Sequence, residues 1–383
     1  MGAPAGRHLQ VPATMKITRI EAVPVSIPLR RTFNIASGEI PAGRNVIILV
    51  HTDGGIKGLG EASPIASTDA DTQRSIVDVI THHIAPRLVG HNPLELPRLL
   101  SALHGAILGN SCAKAGVDIA LHDLVGKLLG VPVYQLLGGR FRDVIDVQES
   151  DIWIDTPDLM AQAASEAFAR GVRAFEVKIG TDPLMDIDRV RAVRQAVGSE
   201  GRIRIDCNEG YSAGTATRAL RKMEVFDLDY IEQPLPRWDF EGMARLARSL
   251  DTPLCADQAA YTTNDVFRLL SMAACSLVCI KVPKSGFHGA AAIQAVCEAA
   301  GVKCTLGSML PLGIGAAAIH HFGIHARNID MHSSGIYGSA LEYYVDDIVI
   351  QSTIDSDGAV RLSGAPGLGV TLDEGKLARY AVP

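Results

Sequence analysis

Five charged residues recur at nearly even spacing through the second half of this 383-residue chain. They are Lys178, Asp206, Glu232, Asp257 and Lys281, separated by 28, 26, 25 and 24 residues. Each stands near the C-terminal end of a short apolar run: "AFEVKIG", "RIRIDCNEG", "LDYIEQPL", "PLCADQ" and "LVCIKVP". Three carboxylates brought together repel one another unless a cation joins them. Carboxylate oxygens suit a hard ion, Mg²⁺ before Mn²⁺ or Ca²⁺. No cysteine or histidine is expected in the ring, which argues against zinc. Two amines flanking such an ion are placed to act as acid and base. An ion that holds a substrate carboxylate also stabilises the charge left when the adjacent α-proton departs.

The first run adds a complication. Side chains alternate along a strand, so Glu176 and Lys178 share one face. A carboxylate beside an amine favours the charged amine. That suits Lys178 to proton donation or to an electrostatic clamp, with Lys281 as the base; if Glu176 instead faces another cation, Lys178 behaves as an ordinary lysine.

The elements that must position these residues follow from the patterning. From about residue 143, strand-like runs alternate with amphipathic stretches such as "DLMAQAASEAFARG" and "MDIDRVRAVRQAVG". This predicts a parallel sheet with crossover helices. The number of units fits a TIM-like barrel, whose active-site rim is formed by the C-terminal strand ends. Earlier, "KITRIEAVPVSIPL" and "RNVIILVHTDGGIKGLGEASP" alternate as antiparallel strands, with Asp53-Gly54-Gly55 as a turn. The segment "RRTFNIASGEIPAG" between them reads as a long loop. "AKAGVDIALHDLVGKLLG" has helical period. The expected division is a leader at 1–14 with no signal-peptide core, an α+β capping domain at 15–142, a barrel at 143–345, and a tail at 346–383 that returns to the cap.

Composition sets the class. The chain is 47% hydrophobic and 20% charged, ordinary for a soluble globular protein. A net charge of -6 argues against a nucleic-acid partner. No apolar run has the length of a membrane span. Seven cysteines, odd in number, without CxxC and mostly in apolar runs, predict reduced buried thiols in a cytoplasmic protein. "GLGEAS" is not a GxGxxG motif, so no nucleotide cofactor is expected.

These motifs resemble the enolase superfamily, specifically its muconate lactonizing branch. The resemblance rests on "VKIG", "IDCNEGYS", "IEQPL", "CADQ" and "IKVPKSGF", and continues in "AKAGVDIALHDLVGKLLGVPVYQLLGG" and "LGSMLPLGIGAAAIHH". It implies a modified (β/α)₇β TIM-like barrel, with a capping α+β domain formed by the N-terminal part and the C-terminal tail. It implies Mg²⁺, with Mn²⁺ as a substitute, on Asp206, Glu232 and Asp257, and acid/base catalysis by Lys178 and Lys281. It further implies a small carboxylate substrate, an enolate intermediate and a homo-oligomer between dimer and octamer. A muconate cycloisomerase-like isomerase is the first expectation. A racemase or epimerase of N-substituted amino acids is the second, and a catalytically lapsed binding protein on the same fold is the third. A Schiff-base aldolase using Lys178 or Lys281 is a rival that needs no metal.

Three positions depart from the family pattern. Glu176 stands where the family usually has the first lysine of Lys-x-Lys. Gln258 replaces a usual glutamate. Pro311 replaces an acid common at the last strand and cannot ionise, so that wall is expected to be apolar. The Asp-x-Asp pair common in dipeptide epimerases is missing from "SGIYGSALEYY", which counts against dipeptides. Substrate or supporting contacts are expected from Glu176, Asn208, Gln258, Ser308, Met309, Phe33 and Ser37. Ser63 to Ser67 are further cap candidates, and Glu149 and Trp153 are weaker ones. His320, His321, His325 and His332 are expected on a helix surface or at an interface.

Overall fold

A computed structural model describes residues 15–146, 149–331, 340–355 and 358–383. The expected leader at 1–14, His332 and the side chain of Glu149 lie outside the described residues.

The chain opens with a three-stranded antiparallel sheet of β1 (Ile17–Ile35), β2 (Gly38–Thr52) and β3 (Lys57–Ala62). The stretch expected to be a long loop is strand. β1 runs through Phe33 to Ile35, and Ile35 pairs with Gly38 across a two-residue turn. A register shift between Pro28 and Phe33 absorbs the irregular spacing, as a bulge does. The alternation of Phe33 and Ile35, both buried, is what the turn-rich composition concealed. Helices α1 (Gln73–Val79), α2 (Ala85–Leu88), α3 (Leu96–His104), α4 (Ser111–Leu129) and α5 (Val133–Leu136) follow. α4 is buried along nearly its whole length, between the sheet and the rest of the protein. Its close packing on β3 depends on Gly60, where an added Cβ would lie 2.1 Å from the Gly116 carbonyl oxygen.

After β4 (Ile145–Asp146) the chain builds seven parallel strands: β5 (Glu149–Ile152), β6 (Ala174–Lys178), β7 (Arg202–Asp206), β8 (Leu228–Glu232), β9 (Leu254–Ala256), β10 (Leu277–Ile280) and β11 (Lys303–Leu306). Their order in the sheet is sequential. The crossovers are α6 (Pro157–Ala169), α7 (Pro183–Val197), α8 (Ala213–Met223), α9 (Phe240–Ala247), α10 (Thr263–Ser271) and α11 (Val282–Ala299). Beyond β11, a parallel bridge from Cys304 to Ile329 extends the sheet by one more position. This is the modified TIM-like barrel, wound in sequence order because each βα unit returns the chain beside the strand it left. Its strands are buried on both faces, as crossover helices require.

α12 (Gly313–His325) is almost wholly buried. His320 and His321 are therefore interior residues and not a helix surface. The tail pairs backward: β12 (Ala359–Val360) joins β4, and Ala381 bridges Val25 of β1. The last helix, α13 (Glu374–Tyr380), precedes that bridge. No helix among the described residues is long and apolar enough to cross a membrane.

Candidate active site

Lys178, Asp206 and Glu232 are the last residues of β6, β7 and β8. Lys178 pairs in register with Asp206, and Asp206 with Glu232. Asp257 and Lys281 lie one residue past β9 and β10. All five are thus at the C-terminal rim, and the near-equal spacing reflects one βα unit per step.

Their hydrogen bonds divide them. Asp206 Oδ2 accepts from Lys178 Nζ at 2.8 Å and from Asn208 Nδ2 at 2.7 Å, while Oδ1 takes the Asn208 backbone N–H at 2.8 Å. Asp257 Oδ2 accepts from Lys281 Nζ at 2.6 Å, and Oδ1 from Lys284 Nζ at 3.1 Å. Lys284 also donates to the Asp257 carbonyl at 2.8 Å. Burial alone would raise the Asp257 carboxyl, but Lys281 and Lys284 hold it well below the usual carboxylate range. Burial alone would lower both catalytic candidates. Instead Asp206 and Glu176 hold Lys178 well above its ordinary value, and Asp257 does the same for Lys281.

Glu232 stands apart. It is only 3% exposed, and its carboxylate has no hydrogen-bonded partner among the described residues. Burial, with Asp206, Glu176 and Asp257 nearby, pushes it well above the carboxylate range. A charged acid buried among other acids costs several kcal/mol unless a cation offsets it. The neighbouring carbonyl oxygens Asn208 Oδ1 and Gln258 Oε1 are also buried without a partner. Unsatisfied acceptors and a cluster of buried acids on one rim fit a hydrated hard cation. The cation-ligand geometry includes one unexpected member. Atoms of Glu232, Asp257 and Cys279 lie within 4.8 Å of one another, whereas Asp206 is turned to Lys178 and Asn208. A cysteine thus stands within ligand distance of two of the three acids. Its position was legible, since Cys279 sits two residues before Lys281 and strand side chains alternate.

Glu176 points into the barrel on the same face as Lys178, as its spacing predicts. Its Oε1 accepts from Lys178 Nζ, and its Oε2 accepts from Arg204 Nε at 3.0 Å and Nη2 at 2.8 Å. Arg204, two residues before Asp206, was not singled out from the sequence. The same i−2 rule would have found it.

The pocket over this rim is closed by the cap. Phe33, Ile35, Ile65, Thr68 and Asp69 face Lys178, Asp257, Lys281 and Lys284. Asn208, Gln258, Ser308 and Met309 also line it. Ser37 does not: at the hairpin tip it donates to Ser67 Oγ at 3.0 Å. Glu176 lies beneath the pocket, beside Glu232 and Cys279. Trp153 packs edge-on against Phe33, with ring centroids 4.9 Å apart. Pro311 belongs to the turn that leads into α12, and the adjoining pocket wall of Met309 and Leu310 is apolar.

Supporting residues came only from the fold. Gln233 Oε1 accepts from the backbone N–H groups of Asp257 and Ala259, each at 3.0 Å, and so fixes the end of β9. Gln233 itself has φ of 30°, and Asn208 and Glu209 have 40° and 67°. Such left-handed backbone in non-glycine residues concentrates at functional sites. Tyr261 reaches from the rim to Asp69 of the cap.

Two family comparisons agree with this architecture. Residues 17–138 match the family described as "Mandelate racemase / muconate lactonizing enzyme, N-terminal domain", and residues 159–376 match "Enolase C-terminal domain-like". The chain belongs to the mandelate racemase / muconate lactonizing enzyme family of the enolase superfamily. It is similar to the L-Ala-D/L-Glu epimerase of Bacillus subtilis, 32% identical over 93% of this chain and 97% of that one. It is similar to the chloromuconate cycloisomerase of Cupriavidus pinatubonensis, 33% identical over 93% and 96%. Among solved structures it is similar to the N-succinyl Arg/Lys racemase of Bacillus cereus, with TM-score 0.91 and 30% identity over 96% of this chain and 98% of that one. This family member is thus an enzyme whose relatives are isomerases, racemases and epimerases.

Proposed function

We propose that this enzyme moves a proton on the carbon next to a substrate carboxylate, with Lys178 and Lys281 as the acid/base pair, in a reaction like that of a muconate cycloisomerase. The observation that carries this reading is one pocket lined by both lysines, Lys178 buried and Lys281 half-buried, with the acids Asp206, Glu232 and Asp257 between them on adjacent strand ends. Glu232 and Asp257, with Asp206 after a side-chain turn, would hold Mg²⁺ or Mn²⁺. Bound there, the cation supplies charge stabilisation for the enolate form of the substrate. The rest of the chemistry is the chain's own. Lys281 takes or returns the α-proton from one side, and Lys178 presents a charged donor from the other. Phe33, Ile35 and Ile65 exclude water above the reacting carbon.

The inequality of the two lysines favours a cycloisomerase. Lys178 is shared between Glu176 and Asp206, whereas Lys281 has Asp257 alone. A racemase needs two groups that exchange roles; here carboxylates favour the charged form of both amines, Lys178 from two sides and Lys281 from one. A second reading, racemisation or epimerisation of N-substituted amino acids, is supported by the likeness to the N-succinyl Arg/Lys racemase. The substrate in both is a small carboxylate, contacted by Asn208, Gln258, Ser308, Met309 and Phe33. We further propose a homo-oligomer, which sedimentation would size, and a cap made of 15–142 with the tail from 346.

Incubation in D₂O with Mg²⁺ and a panel of muconates and N-acyl amino acids tests the reading. Metal-dependent lactone formation with one deuterium establishes the first reading. Exchange from both enantiomers of an N-acyl amino acid establishes the second. Silence throughout, with Mg²⁺ bound, points to a substrate outside the panel or to a lapsed catalyst.

A further inference from the structure

The metal-ligand cluster on the rim is not made of oxygen alone. Cys279 Sγ, Glu232 and Asp257 present ligand atoms within 4.8 Å of one another, and all three residues are buried. Glu232 contributes a carboxylate that burial and the neighbouring acids Asp206, Glu176 and Asp257 surround with negative charge. A cavity of about 20 Å³ lies against Glu176, Lys178, Tyr230, Glu232, Cys279 and Ser308. That is room for one water-sized guest. The wall opposite Cys279 stays open because residue 307 is glycine. A Cβ there would stand 2.6 Å from Cys279 Sγ and 2.7 Å from Lys281 Cε. The thiol and Glu232 line this space, and Asp257 completes the cluster from the adjoining pocket, so the three form a mixed S/O donor set.

We propose that Cys279 is a ligand for thiophilic divalent cations, zinc foremost, at the centre whose oxygens suit Mg²⁺. A hard ion uses the carboxylates and leaves the thiol protonated. Zn²⁺ bonds readily to thiolate as well as carboxylate and binds such sites more tightly than Mn²⁺. On its binding the S–H bond breaks, an S–Zn bond forms, and the proton leaves to solvent. No oxidant or reductant is needed. Cys279, Glu232 and Asp257 would hold zinc in competition with the hard ion, which would make the enzyme sensitive to thiophilic metals. The inference rests on the carboxylate centre being a cation site, as in the function proposed above.

The test uses the full chain freed of metal by chelation, with Cd²⁺ as the probe because cadmium–thiolate bonds absorb in the ultraviolet. One equivalent of Cd²⁺ produces the charge-transfer band in the wild-type protein and in Cys255→Ser. Added Zn²⁺ removes it. Cys279→Ser and Cys279→Ala lose the band and bind Cd²⁺ roughly tenfold or more weakly, while both still bind Mn²⁺ by electron paramagnetic resonance. The two variants guard against a folding defect in either. No band in the wild type, or an unchanged band in the Cys279 variants, overturns the proposal. Failure of the wild type to bind Mn²⁺ overturns the cation centre itself, a separate result.

Discussion

Tyr261, on the barrel loop after β9, donates its hydroxyl to Asp69 of the cap. Asp69 in turn accepts the Ile65 backbone N–H at 2.9 Å, so one carboxylate both shapes the cap loop and ties it to the barrel rim. The ring of Tyr261 also lies 4.9 Å from Lys284 Nζ, the lysine bound to Asp257. A single side chain thus connects the pocket roof to its floor.

Tyr261→Phe removes the bond and keeps the ring. Losing one hydrogen bond to a charged acceptor costs about 1.5–3 kcal/mol. If the loop's main task is to close over substrate, KM rises about tenfold, since roughly 1.4 kcal/mol is one decade, and kcat changes little. Steady-state kinetics on the substrate found by deuterium exchange separates the two. An equal fall in kcat with unchanged KM contradicts the closure role.

Lys284→Met leaves Asp257 Oδ1 without its donor in a fully buried setting. Breaking a buried ion pair from one side costs about 3–5 kcal/mol. The metal-free variant is expected to unfold at clearly lower urea concentration than the wild type. Lys284→Arg should restore most of the loss. Equal urea midpoints in all three would show that Lys284 contributes nothing to the rim.

Glu232→Gln acts in the opposite direction. It removes a buried acid from beside Asp206 and Asp257. The metal-free variant is expected to melt higher than the metal-free wild type. The rise in Tm that saturating Mg²⁺ gives the wild type should vanish in the variant. Thermal scans with and without EDTA read both effects, and a variant that still gains from Mg²⁺ would remove Glu232 from the ligand set.

Glu176→Gln takes one carboxylate from Lys178 and weakens the link to Arg204. The remaining amine is less strongly held as a cation. The basic limb of the pH–rate profile should therefore move to lower pH. An unmoved limb would mean that Glu176 only anchors Arg204.

His321 sets a stability limit at acid pH. Its Nδ1 accepts the Tyr134 backbone N–H at 3.1 Å, and its Nε2 donates to the Leu368 carbonyl at 3.1 Å, which fixes the neutral ring. Burial lowers its pKa to about 4, with His320 adding to the shift. The unfolded chain takes up this proton near pH 6.5 and the folded one only near 4. The contribution is whole above pH 6.5 and falls away on acidification, by about 3 kcal/mol at pH 4. Urea midpoints at pH 7 and 4.5 should differ less in His321→Gln, which can keep both bonds without charging.

The sequence by itself determined the rim. Even spacing of one βα unit placed Lys178, Asp206, Glu232, Asp257 and Lys281 at successive strand ends, because a parallel barrel repeats its geometry with its sequence period. The i, i+2 rule likewise put Glu176 beside Lys178, and Arg204 and Cys279 were open to the same reasoning. Tertiary structure alone decided the contacts between distant segments. That Tyr261 meets Asp69, that Lys284 joins Lys281 on Asp257, and that Asp206 turns to Lys178 and not to Glu232 depend on side-chain directions and cap placement, which no period encodes. The buried pair His320 and His321 makes the same point. Their helix is apolar on every side, so periodicity could not tell an inner face from an outer one.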